Sequence, residues 1–295
     1  MTEVRALEQR PDGIAVFEIG EAAPGAPTVL AAHGITSNSE VWVPAARALA
    51  GRARVIAFDM RGRGGSFNAP PPYGVSVHIA DMLELLDSLE LERPLLAGHS
   101  LGAYVISALA SEHPDRAAGV LLVDGGLRIP GSEGVDPQEF AAALLGPTLE
   151  RLNMHIESRE AYRDWWRGHP ALAEGQIAEE DLIAYADHDL LGNQPPFQCA
   201  VSASAVRADA EELPTMGATA DQVQLPARLL SATRGLRNEP HPMHPRELVE
   251  QWVAARPETR RATVVEDSNH YTVAMGPRGA EAVASAVIEL AAVAG

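Results

Sequence analysis

Leu95-Leu96-Ala97-Gly98-His99-Ser100-Leu101-Gly102-Ala103-Tyr104 decides how this chain is read. An apolar run ends abruptly in Gly-His-Ser-Leu-Gly. An apolar helical pattern follows at once and reaches Glu112, before Pro114 stops it. The arrangement is strand, sharp turn, helix. Small residues flanking Ser100 permit a tight turn that pushes the hydroxyl out of the sheet, and the start of the next helix adds a field favouring negative charge. A bare Gly-x-Ser-x-Gly recurs by chance, but between a strand and a helix it carries mechanical meaning. Ser100 is therefore the candidate nucleophile.

On both sides of that turn, short apolar runs alternate with helical patterns, as in a mostly parallel sheet covered by helices. Thr28 to Ala32 and Val55 to Phe58 read as buried strands, with a helical pattern from Val41 to Ala50 between them. Val75 to Leu91 carries an apolar stripe at helical spacing, and Gly119 to Val123 is a further strand ending at Asp124-Gly125-Gly126. From Leu127 to Leu225 no convincing strand is visible, only helical stretches parted by Gly and Pro. The strand pattern resumes at Ala227 to Ala232 and Ala262 to Val265, and a helix from Gly279 to Ala294 closes the chain. The economical reading is one α/β core domain, residues 1–126 and 226–295, interrupted by a helical cap at 127–225.

Composition narrows the classes. The chain has 295 residues, 46% hydrophobic and 21% charged, which is the make-up of a globular protein rather than a disordered one. Every apolar run is broken well before the roughly 20 residues of a membrane span. The net charge of -17, from 40 acidic and 23 basic side chains, would repel nucleic acid and anionic membranes. The N-terminal MTEVRALEQRPDGIAV shows no apolar segment behind a basic start, and the single cysteine, Cys199, excludes an intrachain disulfide. A cytoplasmic location is the expectation. The expected partner is a small-molecule substrate, without nucleic acid or membrane, and homo-oligomerisation is left open.

A hydroxyl nucleophile needs a base. His270, in the loop Glu266-Asp267-Ser268-Asn269-His270-Tyr271-Thr272 after the last strand, returns to the sheet edge where Ser100 stands. Backbone N–H groups of the His33-Gly34-Ile35 loop and of the residue after the nucleophile would form an oxyanion hole. Ile35 and Leu101 are assigned to it, with Gly34 as the alternative. His33 is read as shaping the loop.

At this point the sequence resembles the α/β-hydrolase superfamily. The matching pieces are AAHGITSN, FDMRGRGGS, AGHSLGAY, LLVDGG and DSNHYTV, in the family order over nearly the whole chain. The resemblance implies an α/β-hydrolase fold with a mostly parallel central sheet and a helical cap after the sixth strand. It also implies a structural role for Asp59 in the second piece. It implies that the triad acid lies either a few residues after the strand Ala227–Ala232 or, as in certain lactonases and dehalogenases, after the strand that follows the nucleophile helix. Gly235 stands near the first slot and Asp124 in the second. Asp124 is the first candidate and Glu239 the second, with Asp267 or a bare Ser–His pair behind them.

The implied activity is that of a serine hydrolase, a carboxylesterase or lactonase needing no metal or organic cofactor. Ser in place of Asp at the turn argues against the carboxylate-nucleophile chemistry of epoxide hydrolases and dehalogenases. Carbon–carbon bond hydrolysis, perhydrolase or lyase chemistry, and a hydrolase-like ligand receptor remain as alternatives. Trp165, Trp166, Tyr185 and Phe197 in the cap are candidate substrate-binding residues, or else the small core of the cap. His241 and His244, and Asp187-His188-Asp189, read as loop and exposed turn rather than metal sites. Cys199 reads as a buried side chain without a local partner.

Overall fold

The computed structural model describes residues 2–7, 10, 12–173 and 175–294, with residues 144–150 as helical backbone only. Strands β1 (Val4–Ala6), β2 (Val16–Ile19), β3 (Thr28–Ala32), β4 (Arg54–Phe58), β5 (Leu95–His99) and β6 (Gly119–Val123) come first. A two-residue ribbon, β7 (Leu190–Leu191) and β8 (Gln198–Cys199), stands apart, and β9 (Ala227–Ala232) and β10 (Arg260–Val265) complete the sheet. The eight strands lie in the order β1-β2-β4-β3-β5-β6-β9-β10. Only the β1–β2 and β2–β4 pairs are antiparallel.

Alternation along each strand builds two cores. Val29, Ala31, Leu95, Ala97, Leu121 and Val123 face one side, where α1 (Val43–Leu49) and α11 (Pro277–Ala294) pack. Leu30, Ala32, Leu96, Val120 and Leu122 face the other, under α2 (Val75–Ser88) and α3 (Leu101–Glu112). Burial on both faces is why these strands read as unbroken apolar runs. The positions from Leu101 to Ala110 are all buried, so α3 is apolar all round.

Between β6 and β9 lie α4 (Pro137–Leu152), α5 (Arg159–Arg167), α6 (Glu179–His188), the β7–β8 ribbon, α7 (Ala203–Met216) and α8 (Thr219–Gln222). The ribbon is a difference from the strandless expectation: its two-residue strands are too short to leave a periodic signal. α4 also runs through the Gly146-Pro147 pair that the sequence reading took as a break. After β9 come α9 (Arg246–Ala254), β10, the single turn α10 (Thr272–Met275) and α11. No helix among the described residues is long and apolar enough to cross a membrane.

Candidate active site

Four parallel strands end at the same edge of the sheet, and a candidate residue follows each. The Gly34–Ile35 loop follows β3, Ser100 follows β5, Asp124 follows β6, and the β10 edge leads to His270. Ligands of parallel sheets gather at such carboxyl ends.

Ser100 has φ 54° and ψ -120°, a conformation that costs a non-glycine residue on the order of 1–3 kcal/mol. Its neighbours allow the turn. A Cβ on Gly98 would lie 2.4 Å from the Gly102 carbonyl carbon, and one on Gly102 would lie 2.2 Å from the Ala32 oxygen. The Ser100 N–H donates to Val123 O at 3.0 Å, which ties the turn to β6.

His270 Nδ1 donates to Asp124 Oδ2 at 2.7 Å, leaving Nε2 as the nitrogen free to act as base. The His270 carbonyl accepts from His99 Nε2 at 2.8 Å. Asn269 Oδ1 accepts from the N–H groups of Tyr271 and Thr272, closing the turn that holds the histidine. Asp124 is fully buried, and its Oδ1 accepts from Ala232 N–H at 3.1 Å. Burial opposes its charge, but the hydrogen bond from His270 and the nearby polar rings of His270 and His244 outweigh that and hold its pKa well below the usual carboxylate range. Burial, and then the neighbouring His270, push His99 down to about 3, so it is a neutral donor.

Glu239, the second candidate for the acid, is exposed and accepts from Arg237 N–H at 2.7 Å. Asp267, also exposed, pairs with Arg278. The carboxylate against His270 is that of Asp124.

His33 explains the loop that faces Ser100. Its Nδ1–H donates to Gly34 O at 2.7 Å while Nε2 accepts from Met60 N–H at 2.8 Å. Burial holds it neutral, with a pKa of about 4. Because the Gly34–Ile35 peptide is trans, turning its carbonyl toward His33 turns the Ile35 N–H the opposite way. Leu101 is the first residue of α3, so its N–H has no carbonyl one turn back to bond. Ile35, Leu101, Ser100 and His270 line one cavity of about 360 Å³. Its walls come from Ile129, Leu213, Leu236, Met243 and Tyr104, and no Asp, Glu, Lys or Arg lines it among the described residues.

Of the four aromatic side chains expected to bind substrate, Tyr185 lines this cavity. The other three do not. Trp166 and Phe197 are buried in the apolar core shared with Tyr162 and Leu182, and Trp165 packs against that core from its edge. Tyr162 and Trp166 fall four apart on α5, so both point inward while the helix turns its charged face to solvent.

The Asp187-His188-Asp189 turn is also not the exposed segment expected. Asp187 pairs with Arg163, while His188 donates to the buried Asp59 at 2.6 Å. Asp189 is buried against Arg151 and Tyr162. Cys199 does have partners: its Sγ lies 3.4 Å from Asp189 Oδ1. Arg151 also donates to Thr36 O at 2.8 Å, so a residue of α4 braces the Ile35 loop. His241 is exposed whereas His244 is buried, so the two do not form a pair. Nothing in the sequence pattern signalled His99, His244 or Arg151, because their partners come from distant segments.

The family model of the alpha/beta hydrolase fold matches residues 27–188, and the chain belongs to that family. Within it, the carbamate hydrolase RutD, so named, of Caulobacter sp. (strain K31) is 35% identical over 172 residues, 56% of this chain and 62% of that protein. Epoxide hydrolase B of Mycobacterium tuberculosis (strain ATCC 25618 / H37Rv) is 30% identical over 185 residues, 58% of this chain and 48% of that one. The chain spans between 30% and 62% of the length of the most similar curated relatives. Among solved structures, E-2-(acetamidomethylene)succinate hydrolase superposes with a TM-score of 0.76 over 99% of this chain and 100% of its own, at 21% identity. At that identity the likeness is one of fold.

Proposed function

We propose that the protein is a serine hydrolase acting on a small to medium, neutral and mainly apolar carboxylic ester or lactone, with residues 127–225 as its cap. Ser100 Oγ attacks the acyl carbon as His270 Nε2 takes its proton, and Asp124 stabilises the imidazolium that forms. The Leu101 and Ile35 N–H groups receive the oxyanion. His270 then returns the proton to the leaving alkoxide, and the acyl-enzyme is hydrolysed by a water that the same nitrogen activates. The observation that carries this reading is the His270–Asp124 hydrogen bond behind a cavity that Ser100 and His270 both line.

The cavity wall supports the choice of substrate. A carboxylate-bearing substrate would lose its hydration there without meeting a cation, which costs several kcal/mol. The carbamate chemistry in the name of the Caulobacter relative also proceeds at a carbonyl carbon, so neutral carbamates belong in the same panel. Serine at the turn keeps the reading apart from the activity named for the mycobacterial relative.

The test is turnover of matched neutral and carboxylate-bearing esters, lactones and carbamates, with Ser100→Ala as the blank. Neutral esters should exceed charged ones of equal length by about a hundredfold in kcat/KM. Preference for the charged series would remove the substrate assignment, and turnover by Ser100→Ala would remove the serine mechanism.

A further inference from the structure

Asp124 faces two histidines, not one. His270 bonds Oδ2, and His244 Nδ1 lies 3.9 Å from Oδ1, with the His244 and Asp124 side chains both at zero exposure. Neither ring nitrogen of His244 has a hydrogen-bond partner among the described residues. A buried imidazole left unbonded loses hydration with no return, so its presence calls for a reason. The loop that carries it supplies one. Pro242, Met243 and Pro245 line the substrate cavity, and the prolines at 240, 242 and 245 restrict the backbone on both sides of His244. The same short segment therefore forms cavity wall and delivers an imidazole behind the carboxylate.

We propose that His244 is a positioning residue that shares the Asp124 carboxylate with His270, presenting its Nδ1–H to Oδ1. The inference rests on the reading of Ser100, His270 and Asp124 as a triad. Its consequence follows from competition for one anion. A donor on Oδ1 draws charge from Oδ2 and weakens the hold of Asp124 on the His270 proton. Removing that donor should therefore strengthen the hold of Asp124 on the His270 ring proton. The other titratable groups near the pair are His99 on β5, held neutral by burial, and Tyr104 on α3, whose hydroxyl donates to Leu127 O. Tyr271 adjoins His270 in the chain, its phenol pushed up by burial. None of these places a second positive charge on Asp124.

The experiment is NMR titration of the His270 ring in a Ser100→Ala background, carrying His244 as wild type, His244→Phe or His244→Asn. Phe keeps a ring without a donor, and Asn places an N–H close to the position of Nδ1. The Phe variant should titrate at least about half a pH unit higher, with Asn restoring the wild-type midpoint. A Phe midpoint superimposed on wild type, or Phe and Asn displaced together, would overturn the proposal. Should His244→Phe fail to fold, the wild-type ¹⁵N spectrum decides: Nδ1 of His244 must carry a proton near neutral pH. The Nε2–H tautomer, with a lone pair facing Asp124, would contradict it. Because the titration needs no substrate, these outcomes are independent of whether the wild-type protein hydrolyses esters.

Discussion

Asp124 accepts from Ala232 N–H on one carboxylate oxygen and from His270 on the other. Asn in its place keeps the size but offers only one acceptor, so either Ala232 or His270 faces an amide N–H. The imidazole then loses its orientation and its stabilised cation. Asp124→Asn should lower kcat/KM by up to about 10⁴-fold, the size of that effect in the serine protease triad. Glu239→Gln, altering an exposed residue bonded to Arg237, should change it less than about tenfold on the same scale. Both are checked on one good ester, with the melting temperature measured in parallel because Asp124 also ends a buried strand. A near-normal Asp124→Asn beside a crippled Glu239→Gln would move the acid to the loop after β9. The turn at Ser100 was legible in the sequence because its constraint is local: glycines on each side, a strand before, a helix after. The acid was ambiguous because the distance from a carboxylate to a histidine 146 residues away is a property of strand order, which residue spacing does not encode.

The segment between β6 and β9 is tied to the sheet by buried charge. His188 at the end of α6 donates to Asp59, which also accepts from the N–H groups of Ser39 and Gly65. Burial opposes the charge on His188, but Asp59 raises its pKa to about 9. The folded value exceeds the unfolded one of about 6.5, so the stabilisation is complete below pH 6.5 or so and is lost as pH rises through about 9. The melting-temperature gap between wild type and His188→Gln should therefore be widest near pH 6 and close by pH 10. A gap of constant width would show that the pair is not ionic.

Trp166, buried with Tyr162 and Leu182, should behave as a packing residue. Trp166→Ala is expected to cost about 3–5 kcal/mol in denaturant unfolding, whereas Met243→Ala, on the cavity wall, should mainly move KM for bulky esters. An apolar cluster in the sequence shows that residues are buried together, but not on which side of α5 they meet. The short edge pair β1 and β2 escaped notice for a different reason: three- and four-residue strands with charged positions have no run long enough to register.

Over the whole molecule, the alternation of strands and covering helices was legible at the centre of the sheet, since a strand covered on both faces is apolar at nearly every position. What that rhythm could not show is that the ends of β3, β5, β6 and β10 meet at one edge, which depends on the order β3-β5-β6-β9-β10 across the sheet. The strong negative charge lies outside the cavity, whose lining carries neither acid nor base except histidine. The account rests on Ser100 attacking an electrophile with its hydroxyl oxygen. A fluorophosphonate probe, followed by intact mass and peptide mapping, reads that step without a known substrate. Serine catalysis predicts one adduct per chain, on Ser100, absent from Ser100→Ala and forming more slowly as pH falls and His270 gains its proton. An unlabelled protein with an intact fold, or an adduct on any other residue, would contradict it.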